Sequence, residues 1–290
     1  KMIAIKTIIN LISVRSVSIL MTFLCVGILL SCSTGDVGSP EVNISAGGFK
    51  PSDPEFTVKK TFKDDFPIEN HNRLNVEAIN GEVVVTGQDD ANRVMVTAHL
   101  YVSSYSQEDA ELHLEDLDIL VTDDTNEILI KTVQPENITG LKYLVEYDII
   151  VPNSFEVVAS QVNGSTAILD IQNNIDAWNK NGDIMLSGVI GGGTAHVENG
   201  RIEGSVVLPV NEGIDLSVIN GGLDLSIPKS TSAVFSATVV MNGEIIVSDL
   251  EFTESTHTPS ALTGTLGNGE GFGSGHDANC SMKACTRVRS

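Results

Sequence analysis

Trp178 and His196 are the two side chains whose chemistry and spacing together suggest a site. Each stands three residues before an Asn-Gly pair, Asn181-Gly182 and Asn199-Gly200, so in any architecture repeating with those pairs they fall side by side. An indole beside an imidazole is a platform on which the apolar face of a sugar packs. The structural alternative is that Trp178 fills or covers a corner of the fold. Asp170, Asp176, Asp183 and Arg201 supply the residue types of a polysaccharide lyase on a β-helix, carboxylates for calcium together with a basic residue. Arg201 and Asp183 equally suit a cross-coil charge pair, worth about 0.2–1 kcal/mol when exposed. Nucleophilic and zinc chemistry have little to build on. The six His residues (71, 99, 113, 196, 257 and 276) are scattered without an HExxH, and no Ser occupies a Gly-x-Ser-x-Gly elbow. Gly191-Gly192-Gly193 lacks the following Lys or helix of a phosphate cradle and reads as a turn. The acidic pairs Asp64-Asp65, Asp89-Asp90 and Asp123-Asp124 lack the spacing of an EF-hand loop. The expectation is no catalytic residue, no metal site and no cofactor.

The elements that would position Trp178 and His196 are announced by six Asn-Gly pairs: Asn80-Gly81, Asn163-Gly164, Asn181-Gly182, Asn199-Gly200, Asn220-Gly221 and Asn242-Gly243. The last five recur at intervals of 18, 18, 21 and 22 residues, embedded in alternating apolar and polar residues. Asn and Gly tolerate positive φ, so each pair reads as a tight structural turn between two strands. A fixed period predicts stacked coils, each burying its apolar face against its neighbours. A meander of hairpins would give a similar period, because Asn-Gly is also the preferred two-residue hairpin turn. The two separate on neighbour contacts: stacked coils place Asp183 against Arg201, and hairpins need not.

Along the chain, residues 56–152 read as strands of period two, such as Val94, Val96, Ala98, Leu100 and Val102 on one face, interrupted by a helix over Ser106–Leu114. Residues 153–271 carry the repeats, and the two segments read as one continuous domain. Residues 272–290 are cationic and lack alternation, and are expected to be a disordered or aberrant tail. The fold class is all-β, a strand-rich N-terminal segment continuing into a β-helix or β-solenoid of Asn-Gly-cornered coils.

Residues 1–31 read as a signal peptide, with Lys1, Lys6 and Arg15 ahead of the apolar run Val17 to Leu30 and no acid before Asp36. The run ends in Leu29-Leu30-Ser31-Cys32, which resembles the lipobox of bacterial lipoproteins and implies lipidation at Cys32. Stable anchoring takes two or more acyl chains, each buried CH₂ contributing about 0.8 kcal/mol. Residues 32–55, rich in Ser, Gly, Pro and acids, form a flexible tether reaching roughly 25–30 Å. A net charge of −21 argues against nucleic acid or anionic lipid headgroups as partners. With Cys25 in the signal and Cys32 the lipid site, Cys280 and Cys285 are left to bridge only a short loop.

Lipobox, a strand-rich lead-in ending in Tyr147-Asp-Ile-Ile-Val-Pro152, and serial Asn-Gly-x-[Ile/Leu/Val] units together resemble a bacterial adhesin-like β-helix repeat family of unknown function that occurs in envelope proteins and lipoproteins. The resemblance spans about Leu74 to Gly271. Cys32, the tether and the repeats together point to a non-catalytic, lipid-anchored envelope protein that contacts a glycan or an envelope protein, and Ser33 after Cys32 resembles the pattern of outer-membrane-sorted lipoproteins, facing either the periplasm or the outside. A periplasmic scaffold or envelope-stress component, and a carbohydrate-active β-helix enzyme, are the alternatives.

Overall fold

The computed structural model describes residues 55–136, 139–210, 212–228, 230–239, 245–248, 251–259, 261–269, 272–277 and 282–285. The signal peptide, Cys32, the tether as far as residue 54, Cys280 and Asn242-Gly243 lie outside the described residues.

Residues 56–152 form β1 (Phe56–Pro67), β2 (Arg73–Gln88), β3 (Arg93–Ser104), helix α1 (Gln107–Leu114), β4 (Asp118–Asp123), β5 (Glu127–Val133) and β6 (Lys142–Pro152). The helix starts where the sequence puts it: the Ser106 side chain accepts the Asp109 N–H at 3.2 Å, and Glu108 and Asp109 face the positive end of its dipole. Period-two alternation is realised in β3, where Val94, Val96, Ala98, Leu100 and Val102 are buried, and in β6, where Tyr143, Val145, Tyr147, Ile149 and Val151 are. The pairings β1–β3, β3–β6 and β4–β5 are antiparallel.

The repeat region forms β7 (Glu156–Leu169), β8 (Ile175–Asn181), β9 (Ile184–Ile190), β10 (Gly193–Val207), β11 (Gly213–Ser226), β12 (Ala233–Val239) and β13 (Ile245–Ser248). It is followed by β14 (Thr253–Thr258), β15 (Ala261–Leu266), β16 (Phe272–Asp277) and β17 (Met282–Cys285). From β7 to β11 successive units pair in parallel with Asn-Gly on Asn-Gly: Asn163 opposite Asn181, Asn181 opposite Asn199, Asn199 opposite Asn220. Hairpins would pair antiparallel, so these Asn-Gly pairs are not hairpin turns. They lie inside long strands, as in β2, β7, β10 and β11, or between β8 and β9, and bend each unit into two limbs.

Parallel stacking is not in sequence order. The two limbs of β2 lie between β7 on one side and β5 and β6 on the other, so the residue 152/153 boundary seen in the sequence cuts through one stack. At the far end β16 lies between β11 and β12, and β17 between β11 and β13. The segment expected as a disordered tail thus contributes two strands. Parallel ladders are made by backbone groups, so a segment whose side chains do not alternate can still pair. Antiparallel β14 and β15 add to β12.

Inside the stack, equivalent positions form buried columns. One runs Val76, Ala159, Ala177, Ala195 and Leu216 on the first limbs; another runs Ile149, Val85, Ile168 and Leu186 on the second. Each fully buried Val, Leu or Ile contributes roughly 1.5–3 kcal/mol, so the apolar period itself sets the register.

Candidate functional site

The Asn-Gly corners are built from two ladders. Amide Nδ2 of Asn163 donates to Oδ1 of Asn80 at 2.8 Å, Asn181 to Asn163 at 2.9 Å, Asn199 to Asn181 at 3.0 Å and Asn220 to Asn199 at 3.0 Å. None of these Asn residues has positive φ; the left-handed residues are the glycines, with φ from 127° at Gly164 to 150° at Gly221. A Cβ on Gly164, Gly182, Gly200 or Gly221 would collide with the carbonyl of the preceding corner glycine. Gly is therefore required twice over, by conformation and by close approach, whereas Asn is required for its amide. Two buried amides behind the corners escaped the sequence reading. Gln161 Nε2 donates to Gly81 O at 2.5 Å and to Asn163 O at 3.1 Å, and Asn179 Nδ2 donates to Gly164 O at 2.7 Å. Both sit at inward positions where the apolar pattern predicts hydrocarbon; a corner carbonyl buried without a donor costs about 1–3 kcal/mol.

The first-limb strands position Trp178 and His196. Period two turns Ala177 and Asn179 inward and Trp178 outward on β8, and parallel register sets His196 of β10 directly opposite Trp178. Both rings are half-buried. The outward column continues through Ser160 and Glu77 on one side, ending in the Lys131–Glu77 ion pair at 2.6 Å, and through Ser217 on the other. In the adjacent column Thr194 Oγ1 donates to Asp176 Oδ1 at 2.6 Å. With neighbouring strands about 4.8 Å apart, the two residues occupy adjacent rungs of one outward column, next to the Thr194–Asp176 bond.

The four residues of the lyase reading do not converge. Asp176 lies two residues before Trp178 on the same strand; Asp170 follows β7 on the other limb with φ 55°; Asp183 and Arg201 lie at corners. Asp183 does meet Arg201 one period on, but its carboxylate accepts the Arg201 backbone N–H at 2.8 Å, while the guanidinium pairs with Glu203 at 3.3 Å. The expected cross-coil charge pair is therefore a side-chain cap on a backbone donor. Ser104, almost fully buried, donates to the Asp109 carboxylate, and His113 lies between Asp116 at 2.8 Å and Asp109 at 3.6 Å. The hydroxyl thus bonds a carboxylate and not the imidazole that would activate it. Among the described residues no three His, Cys, Asp or Glu side chains are grouped to hold a metal ion, and no helix is long and apolar enough to cross a membrane.

No family model matches the sequence, and no curated protein matches it. Solved structures do. A protein of Clostridium sporogenes, provisionally named for cell adhesion, is similar over 79% of this chain and 100% of its own, at 9% identity and a TM-score of 0.42. A provisionally named adhesin of Bacteroides fragilis is similar over 78% of this chain and 97% of its own, at 11% identity and a TM-score of 0.39. A protein of Parabacteroides distasonis, provisionally named for lipid binding, is similar over 78% of this chain and 94% of its own, at 10% identity and a TM-score of 0.21.

Proposed function

We propose that this chain is a non-catalytic, adhesin-like protein of the bacterial cell envelope, held to the membrane by lipid on Cys32, whose stacked rungs form a β-solenoid that contacts other macromolecules. The observation that carries the reading is the parallel, Asn-Gly-in-register stack from β2 to β11. Such a stack is a rigid scaffold whose outward columns repeat at strand spacing, which suits contact with a long surface better than enclosure of a small substrate. Trp178 and His196 are the contact residues on its first-limb face, and a glycan or an envelope protein is the partner. The lipid on Cys32 fixes the protein in the membrane.

Protease accessibility on intact cells, comparing the chain with its Cys32→Ser variant and following lipid labelling in the same samples, tests the reading. Labelling dependent on Cys32 with digestion on intact cells is the expected surface-adhesin result. Labelling with protection until the envelope is broken points to a periplasmic scaffold, and no Cys32-dependent labelling refutes the anchor.

A further inference from the structure

A concave surface lies on the opposite limb from Trp178. Ser187 of β9, Ser205 of β10 and Ser226 of β11 are register partners on the outward face. Beyond them the β9–β10 ladder shifts register between Ser205 and Val206, where Gly188 is left-handed at φ 69° and packs on the Asp170 carboxylate. Asp170 is itself left-handed at φ 55°, its N–H held by Ser187 O at 2.8 Å. Beside this bulge lies a cleft of about 450 Å³, lined by the three serines, by Ile190 and Val207, each 42% exposed, and by Asp170 and Gln172. That volume is in the range of small-molecule sites.

From the groups on this surface we infer a saccharide-binding cleft, for a neutral or amino sugar. The floor strands are paired on both edges: β9 with β7 and β10, β10 with β9 and β11, β11 with β10 and β17. Their backbone N–H and C=O groups are committed to the ladders, so an extended peptide finds no edge to add to. The polar groups the floor and end present are hydroxyls, one amide and one carboxylate, spaced at strand intervals. An anionic ligand meets Asp170 and no Lys or Arg among the lining residues. A purely apolar ligand would strip water from the hydroxyls, the amide and the carboxylate without replacing it. A sugar satisfies both surfaces, its hydroxyls bonding Ser187, Ser205 and Asp170 while its C–H face lies on Ile190 and Val207. The inference rests on the contact-surface reading but places a contact at a site of its own.

The test is a glycan array carrying neutral, amino and uronic-acid glycans, probed with the full chain in mild detergent and with Ser205→Leu, Asp170→Asn and Trp178→Ala variants of unchanged melting curve. Asn keeps the left-handed backbone at position 170 and removes the charge; Leu at 205 fills the cleft from its floor. The expected result is capture by neutral or amino glycans, weakened about tenfold or more by Ser205→Leu and Asp170→Asn, whatever Trp178→Ala does at the first-limb face. Capture lost only in Trp178→Ala overturns the cleft and leaves the first-limb face standing. No glycan captured, or capture by uronic-acid glycans alone, overturns it as well, while the Cys32 experiment judges the envelope reading independently.

Discussion

Replacing Gly182 by Ala should damage the protein far more than adding the same methyl at Gly204, although both glycines lie in the stack. At Gly182 φ is 133°, and the new Cβ would overlap the carbonyl of Gly164 in the preceding rung. Left-handed backbone costs a non-Gly residue about 1–2 kcal/mol, and relieving the overlap by parting two ladders adds about 1–3 kcal/mol. A loss of roughly 2–5 kcal/mol compares with a total stability of about 5–15 kcal/mol for a typical domain. Gly204 is not left-handed, and its added Cβ would meet the Cδ1 tip of Leu225 at 3.2 Å. That side chain can move by tenths of an ångström, and the narrowed unfolded ensemble returns about 0.4–1 kcal/mol, leaving Gly204→Ala within about 1 kcal/mol of the parent. Urea unfolding followed by circular dichroism, with midpoint and slope fitted for all three proteins, measures the difference. A Gly182→Ala protein as stable as Gly204→Ala would refute the close-stacked corner.

Asn199→Ala removes two amide bonds of the corner ladder without touching a left-handed residue, and should cost about 1–2 kcal/mol in the same unfolding assay. Asp183→Ala should cost about 1 kcal/mol by uncapping the Arg201 N–H, whereas Arg201→Ala should stay within about 0.5 kcal/mol because its exposed ion pair with Glu203 contributes little; the reverse order would restore the cross-coil charge pair. Burial holds the Tyr147 phenol well above its ordinary value of 10.0, against a smaller opposing effect of its bond to Thr132 at 2.7 Å. Above about pH 10 the unfolded chain loses this proton while the folded chain keeps it, so stability is intact below that pH and falls as pH rises, by up to about 1.4 kcal/mol per pH unit for this one group. Tyr147→Phe should lower stability at neutral pH by about 1 kcal/mol and flatten the alkaline decline, as read from unfolding midpoints between about pH 8 and 12.

The apolar period legible in Val94 to Val102 and Tyr143 to Val151 is the period that the folded strands bury, and Ser106 caps the helix that its side chain suggests. Trp178 and His196 are register partners because they stand at equal distances from equivalent Asn-Gly pairs, so their adjacency too was readable from spacing. The same pairs misled on conformation: Asn and Gly both tolerate positive φ, and only contact with a neighbouring rung shows that Gly uses it while Asn supplies an amide. Gln161 and Asn179 look like breaks in an apolar pattern until the carbonyls they satisfy are in place.

Sequence alone determined that the chain is β-rich, that its strands alternate, and that a unit about 18–22 residues long repeats, because these follow from local periodicity and turn chemistry. Tertiary structure decided the order of the rungs, with β2 meeting β7 across 83 residues between its Asn80 and Asn163, and β16 and β17 inserted beside β11. It also decided the cleft at Asp170. Backbone ladders do not encode their partner in side-chain type, and a concave surface exists only once strands distant in the chain lie side by side.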